Sequence, residues 1–207
     1  MRVAWAAVAL LLYAPAAAQE VPIRRLRLAE KSNRLVISGA FTDVVDKDVL
    51  GQLSSGFATT ILVRAYTYEL AEGRTVAFAA ATYRVVYDLW EEVYFVRVHD
   101  ARGERETRYG TLADALKEAT ALRELPVAAL TAVKIGRHHQ LGLIVEVNPV
   151  SEELMQEVRR WLARGQTAVA GNSSFFGSFV SIFVNPKIEE AERTLRFRSQ
   201  VFYRTGR

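Results

Sequence analysis

Three runs of β-branched and aromatic residues follow one another between Phe57 and Asp100, and only short turn sequences separate them. The runs are FATTILVRAYTYEL (57–70), TVAFAAATYRVVYD (75–88) and EVYFVRVHD (92–100). Residues of these types favour β-strands, and AEGR between the first two runs is a turn sequence. ARGE after the third run predicts a hairpin turn that leads into RETRYG. This part of the chain therefore predicts consecutive strands of one sheet.

Four other segments also have strand patterns. The segment IRRLRL alternates arginine with leucine, and RTLRFRSQVFYR alternates arginine with apolar residues, as half-buried strands do. The four are IRRLRL (23–28), RLVISGAF (34–41), HQLGLIVEVN (139–148) and RTLRFRSQVFYR (193–204). The last of them predicts a strand with one basic face in water.

Helical patterns are fewer. Asp46 can cap a short helix that ends at Gly56. The segment TLADALKEATALREL has apolar residues at helical spacing, a capping pair in Thr111 and Asp114, and a closing Pro126. It predicts a helical insertion over 111–124 that packs through Leu112, Leu116 and Leu122. SEELMQEVRRWLARG, from Ser151, predicts a further helix at the start of a helical and apolar segment over 151–190.

The length and composition suit one domain. The 207 residues are half hydrophobic and carry a net charge of only +4, which is a globular composition. With seven or eight strands, the sequence predicts a mainly β fold over 19–207. We expect a single β-sandwich-like domain, with an immunoglobulin-like arrangement as one form of it, and two or three helices. The alternative is a curved sheet backed by helices.

The N-terminus predicts export. Residues 1–18 combine Arg2, an apolar run from Val3 to Tyr13 and small residues at Ala16–Ala18, the three parts of a cleaved signal peptide. The run is short for a membrane span, and an uncleaved anchor is the alternative. We expect a bacterial periplasmic or envelope protein. Export argues against nucleic acid as a partner.

Metal and cofactor chemistry find little support. The chain has no cysteine, and of its three histidines His138 and His139 are adjacent, so on a strand they point to opposite faces. Asp43, Asp46 and Asp48 lack the spacing of a calcium loop and suit turns and caps. We therefore expect no metal site and no cofactor.

No catalytic motif is present. The sequence contains neither a nucleophile elbow nor a phosphate-binding glycine loop. Asp88, Glu91 and Glu92 surround Trp90, and paired carboxylates can cleave glycosides, which leaves an envelope hydrolase as a remote alternative. A solvated turn between two strands explains these residues more simply, so we expect a non-catalytic protein.

The uncharged stretch SSFFGSFVSIFVN predicts an amphipathic helix over 173–185. On a helix its aromatic residues fall on one broad arc and Gly, Ser and Asn on a narrow one. Three environments fit it: the core of its own domain, a protein partner or second copy, and shallow insertion into a membrane. The residues that would bind a partner or lipid are Phe175, Phe176, Phe179 and Phe183.

The arginines of the first and last strands suggest a basic surface. If those strands are neighbours, six arginines could face anionic lipid head groups; an ordinary solvated strand face is the alternative. The strongest candidates are Arg25, Arg27, Arg196 and Arg198, with Arg24 and Arg193 beside them.

Three segments together resemble the DUF4390 family of exported bacterial proteins of unknown function. They are ATYRVVYDLW (81–90), TLADALKEATALRELPV (111–127) and GLIVEVNPVSEELMQ (142–156). The resemblance covers Ile23 to Trp161, and the tryptophan-bearing end of the family is replaced here by the phenylalanine-rich stretch. It implies no catalytic residues. It implies a role in envelope signalling, with an inner-membrane protein as partner.

Overall fold

The computed structural model describes residues 21–150, 152–163 and 191–206, which form two β-sheets and three α-helices. The fold is mainly β and sandwich-like, as the sequence predicts. One hydrophobic core joins both sheets and includes Ile37 from the small sheet and Val63 and Leu143 from the large one. The signal-peptide prediction for 1–18 and the helix predicted at 173–185 lie outside the described residues.

Eleven strands are present in the described part of the chain. They are β1 Ile23–Arg24, β2 Arg27–Lys31, β3 Arg34–Ala40, β4 Thr59–Glu69, β5 Arg74–Asp88, β6 Val93–Asp100, β7 Gly103–Tyr109, β8 Ala121–Ala129, β9 His138–Pro149, β10 Ala191–Ser199 and β11 Phe202–Tyr203.

The large sheet has eight strands in the order β1-β10-β9-β4-β5-β6-β7, with β11 paired to β9. Strands β4 to β7 form the predicted run of antiparallel neighbours. Strand β9 returns to pair with β4, so that Ile61 lies opposite Val147 and Glu69 opposite His139. All pairs in this sheet are antiparallel except β1 with β10.

The small sheet has the order β2-β3-β8 and packs on one face of the large sheet. Its buried side chains Leu35 and Ile37 share the core with Ala65 and Leu141. Alternate residues of each strand point to opposite faces, so one face of β4 supplies this core and the other supplies a second cluster.

Helix α1, Lys47–Ser54, begins as the sequence predicts. The Asp46 carboxylate accepts hydrogen bonds from the backbone N–H groups of Asp48 and Val49, each at 3.1 Å. Such an N-cap satisfies two of the donors that a helix start leaves open. Gly56 follows the helix with a φ of +81°, a conformation that glycine adopts without strain.

The helix predicted over 111–124 is half as long in the structure. Helix α2, Leu112–Ala119, starts at the predicted cap, where Thr111 Oγ1 accepts from Asp114 N. The next residues form strand β8 instead, and Leu122 is a buried residue of that strand. The prediction of the second half was wrong because the chain there pairs with β3, and sheet pairing overrides even the favourable helix propensity of Ala, Leu, Arg and Glu.

A bulge in β8 explains the misleading pattern. The residues Leu122 and Leu125 lie opposite Gly39 and Ile37, so β8 has one extra residue there. The bulge contains Glu124 with a φ of +51° and returns Leu125 to the buried face that Leu122 occupies. An i, i+3 spacing that looks helical therefore arises from a bulged strand.

The N-terminal run IRRLRL also differs from its prediction as one strand. It divides between β1 in the large sheet and β2 in the small one, with Leu26 buried at the crossing. The Gln200 side chain forms hydrogen bonds with both backbone groups of Leu26. Leu26 N donates to Gln200 Oε1 at 2.9 Å, and Gln200 Nε2 donates to Leu26 O at 2.7 Å.

Helix α3, Glu152–Ala163, lies on the opposite face of the large sheet from the small sheet. Its Val158 and Leu162 pack against Leu62 and Tyr66, and the Trp161 ring meets Phe78 edge-on at 5.4 Å. The helix therefore adds a third layer to part of the sandwich. Among the described residues, no helix has the length and apolar character needed to cross a membrane.

Candidate partner-binding surface

The connection between β5 and β6 holds a tryptophan out in solvent on a fixed turn. The Asp88 Oδ1 atom accepts hydrogen bonds from the backbone N–H groups of Trp90 at 2.8 Å and Glu91 at 3.0 Å. These bonds lower the pKa of Asp88, because hydrogen bonds to a carboxylate favour its charged form. The turn is thus held by an ionised side chain at neutral pH.

Three large apolar side chains are exposed at this end of the large sheet. Trp90 is 96% exposed, Phe57 68% and Leu89 62%. The tip of Leu89 lies against Gly56, the residue before Phe57, so that a Cβ at Gly56 would be 3.2 Å from Leu89 Cδ1. We call Phe57, Leu89 and Trp90 the Trp90 surface. Exposed apolar residues gathered at one end of a sheet indicate an interaction site more strongly than scattered ones.

The charged groups around the Trp90 surface are mainly acidic. Asp88, Glu91 and Glu92 belong to the same turn, and Glu91 forms an ion pair with Arg108 at 3.0 Å. The turn therefore presents more negative than positive charge next to its apolar residues.

The sequence suggested a solvated turn at these positions, and the structure confirms the turn. It did not identify Trp90 and Phe57 as exposed at the same end of the sheet, because they are 33 positions apart and the pairing of β4 with β5 brings their segments to that end. The sequence feature that could have predicted the exposure of Trp90 is its position in a hairpin turn, where neighbouring strands are least expected to bury a side chain.

The predicted arginine surface is only partly assembled. Strands β1 and β10 are neighbours, with Arg24 opposite Ser199. Arg24 is bound to the Asp43 carboxylate, and Arg193 Nη1 lies 2.7 Å from Asp46 Oδ2.

The four strongest arginine candidates do not share one face. Arg25 and Arg27 are exposed, but Arg27 belongs to the small sheet. Arg196 and Arg198 are half-buried, and each has a solvent-inaccessible Nε atom. Arg196 and Arg198 alternate with the buried Phe197, as the sequence predicts, and Arg196 lies opposite Ile144 on the sheet face against which α3 packs. This face of β10 is basic but only partly in contact with water, and its role in binding lipid stays a prediction.

The phenylalanine candidates Phe175, Phe176, Phe179 and Phe183 lie outside the described residues. Their partner- or lipid-binding role stays a prediction.

The histidines and aspartates that the sequence raised as metal ligands lie in different parts of the fold. His138 is exposed and His139 buried on opposite faces of β9. Asp46 caps α1, and Asp43 pairs with Arg24. Within residues 21–150, 152–163 and 191–206, no group of three carboxylate or imidazole side chains is arranged to hold a metal ion.

The opposite end of the sandwich carries a buried carboxylate that sequence reasoning did not identify. The Glu69 side chain is fully shielded, and its oxygens lie 3.2 Å from Lys134 Nζ and 3.8 Å from Arg137 Nε. Burial opposes its ionisation, but Lys134 and Arg137 outweigh burial and lower the pKa of Glu69. Burial lowers the pKa of the facing His139, so that its imidazole is neutral at pH 7.

These features describe a sandwich-like domain with one exposed aromatic end and one end closed by charge pairs. The family model of a domain of unknown function, DUF4390, matches residues 18–151, more than half of the chain. The protein therefore belongs to the DUF4390 family, as its sequence pattern suggested. No curated protein matches the chain. No solved structure matches it either.

Proposed function

We propose that the protein is an exported, non-catalytic protein of the bacterial envelope that binds a protein partner through the Trp90 surface. The observation that carries this proposal is the 96% exposure of Trp90 on a turn held by Asp88. Tryptophan is the residue type most enriched among the side chains that dominate binding energy at protein interfaces.

The fixed turn is an advantage for binding. A side chain whose backbone is already ordered loses less conformational entropy when it is buried by a partner. Phe57 and Leu89 add apolar area beside Trp90, which suits the water-excluding surroundings that such binding residues need.

The acidic groups of the turn indicate the chemistry of the partner. Asp88, Glu91 and Glu92 would repel an anionic membrane surface and attract Lys or Arg side chains. We therefore expect a partner surface with an apolar pocket for Trp90 and basic residues at its rim. An inner-membrane protein with a periplasmic portion fits this expectation and would connect the protein with envelope signalling.

Export is the second part of the proposal. It rests on the three-part pattern of residues 1–18. Intact-mass measurement of the protein from its native host is expected to show the loss of about 18 residues. A full-length cytoplasmic product would contradict export, but it would not test whether the Trp90 surface binds a protein partner.

The second candidate function is contact with an anionic lipid surface. It is supported by the exposure of Arg25 and Arg27 beside the paired strands β1 and β10. Flotation with vesicles containing phosphatidylglycerol tests it, and the double variant Arg25→Gln, Arg27→Gln is expected to reduce any binding. Under the leading proposal that variant leaves partner binding unchanged.

Site-specific crosslinking in the native host tests the leading proposal. A photo-crosslinking amino acid at Glu91 is expected to give a defined protein adduct, whereas the same group at Ile135, exposed at the other end of the sandwich, is not. The captured partner is then purified and its affinity measured. Trp90→Ser is expected to weaken binding by about 2 kcal/mol, roughly 30-fold.

Ile135→Ser is the matched control, since it removes an exposed apolar side chain of the same sandwich and should leave affinity unchanged. Equal affinity of Trp90→Ser and the unaltered protein for the partner would refute the proposal. Adducts with lipid alone would favour the second candidate instead.

A further inference from the structure

An apolar groove opens between the edge of the small sheet and the last strand of the large one. It has a volume of about 210 Å³. Its walls include Leu28 and Leu35 on β2 and β3, Leu130 and Val133 after β8, and Phe202 on β11. Leu35, Leu130 and Val133 are at most 7% exposed, so part of the groove lining is made of side chains that belong to the hydrophobic core.

Polar contacts hold the segments that carry the walls of the groove. Gln200, two residues before Phe202, binds both backbone groups of Leu26, which precedes β2. Arg204 Nη1 donates to the Leu130 carbonyl at 3.0 Å, and Arg204 Nε donates to Glu30 Oε1 at 3.0 Å. The β11 segment is thereby held away from β2 at a set distance, and this separation leaves room for a chain or a ring between them.

The groove combines apolar walls with one cation at its rim. Arg204 lines the groove, and its only carboxylate contact among the described residues is Glu30, whose side chain is 48% exposed. An exposed ion pair of this kind contributes little to stability, so another carboxylate can replace Glu30 at little cost. Lys134 and Arg137 add positive charge to the same end of the sandwich, although Glu69 offsets part of it.

We propose that this groove binds a small anionic amphiphile, a single short acyl chain with a carboxylate head. The chain lies between Leu28, Leu35 and Phe202, and the carboxylate takes the place of Glu30 on Arg204. This site is separate from the Trp90 surface, which lies at the opposite end of the large sheet, and it gives the protein a second ligand of a different chemical class.

Octanoate is the probe for this site. Titration of the purified protein at neutral pH, followed by calorimetry and by ligand-observed NMR, is expected to show one site with a dissociation constant in roughly the micromolar to millimolar range. Octyl glucoside, with the same chain and a neutral head, is expected to bind about tenfold more weakly. Acetate, which has the head without the chain, is expected not to bind.

Glu30→Gln distinguishes recognition by Arg204 from a purely structural role of the ion pair. Removing the competing carboxylate is expected to tighten octanoate binding by about threefold or more, because Arg204 keeps its charge and its bond to Leu130. Glu106→Gln is the matched control: it also removes an exposed glutamate paired to an arginine, with Glu106 Oε2 2.8 Å from Arg97 Nη2, and should leave octanoate affinity unchanged.

Leu28→Trp tests the groove itself. Leu28 lines the groove on the same face of the small sheet as Leu35, and the larger side chain narrows the groove, so octanoate binding should be lost while circular dichroism shows a folded protein. If Leu28→Trp does not fold, the tighter binding expected from Glu30→Gln and the unchanged affinity expected from Glu106→Gln still decide the matter. No octanoate binding at millimolar concentration, equal binding of octyl glucoside, or no tightening in Glu30→Gln would each overturn the proposal. The absence of octanoate binding would be expected if the groove is instead occupied by an apolar side chain of a partner protein or by another part of this chain.

Discussion

The ammonium nitrogen of Lys134 lies 3.2 Å from a carboxylate oxygen of Glu69 at the closed end of the sandwich. Glu69 is the last residue of β4, and Lys134 belongs to the connection between β8 and β9. The contact thus attaches the loop that follows the small sheet to a strand of the large sheet, and it does so through a carboxylate that water does not reach.

Glu69→Gln is expected to lower stability in a pH-dependent way. The pKa of Glu69 is lowered in the folded protein, so its contribution is present above the ordinary value near 4.5 and is lost as the pH falls through the lowered folded value. The urea midpoints of the two proteins should differ most at pH 7 and approach each other as the pH falls below 4.5. Glu72→Gln is the control, because Glu72 is half exposed and pairs with the same Lys134; its effect should be smaller. A constant difference across this pH range would show that the charge of Glu69 does not stabilise the fold.

The ion pair of Arg64 and Glu146 crosses strands β4 and β9 under the layer formed by α3. Arg64 Nη2 and Nε lie 2.6 and 3.1 Å from the two carboxylate oxygens, and the Glu146 side chain is 3% exposed. Glu146→Ala is expected to cost about 3 kcal/mol, because it removes the buried carboxylate that two nitrogens of the largely buried Arg64 guanidinium contact. The double variant Arg64→Met, Glu146→Leu should be more stable than Glu146→Ala alone. Chemical denaturation checks both, and the reverse order of stability would mean that water reaches Arg64.

The two leucines that the sequence assigned to one helix should respond differently to truncation. Leu122 on β8 is 2% exposed, whereas Leu116 on α2 is only partly buried against the core. Leu122→Ala is expected to cost about 2–5 kcal/mol and Leu116→Ala about half as much. Equal losses in urea denaturation would show that α2 is as tightly packed as the strand.

Two glycines provide a matched pair of alanine substitutions. A Cβ at Gly39 would lie 2.6 Å from Leu26 Cδ2, a buried atom, whereas a Cβ at Gly51 in α1 meets nothing within 4 Å. Gly39→Ala is expected to destabilise the protein by about 1–3 kcal/mol, and Gly51→Ala to stabilise it by up to about 1 kcal/mol. Thermal denaturation of both variants tests this, and a neutral Gly39→Ala would indicate that Leu26 can move freely.

The strands of the large sheet were predictable because their signal is local and repeated. Residues 59–69 and 74–88 are rich in β-branched and aromatic residues, and a turn sequence separates them. The Asp46 and Thr111 caps were predictable for the same reason, since a cap and the helix start that it serves lie within four residues. Local chemistry suffices wherever both partners of an interaction are neighbours in the chain.

Features that depend on pairing between distant segments were not predictable. The bulge at Glu124 is stabilised by Ser38 Oγ, which accepts from Glu124 N, and by Arg102, which donates to the Arg123 and Glu124 carbonyls. These partners come from β3 and from the turn after β6. A single sequence carries no signal that these segments meet at the bulge, so the residues after Ala119 were assigned to a helix.

The same limit applies to the candidate sites. Trp90 is exposed because of where its turn lies in the sheet, and the groove exists because β2 and β11 belong to different sheets. The arginines of β10 were assigned to water because alternation reveals which residues share a face but not what covers that face.

The position of β10 sets an order on the assembly of the chain during synthesis. This strand separates β1 from β9 in the large sheet, and it contributes the fully buried Phe197 to the core. A growing polypeptide that has emerged only through β9 has no place for its first strand, and the edge of β9 remains open. The sandwich therefore closes only after residues 191–199 have been made, so the last step of its assembly follows the synthesis of a strand near the C-terminal end of the chain.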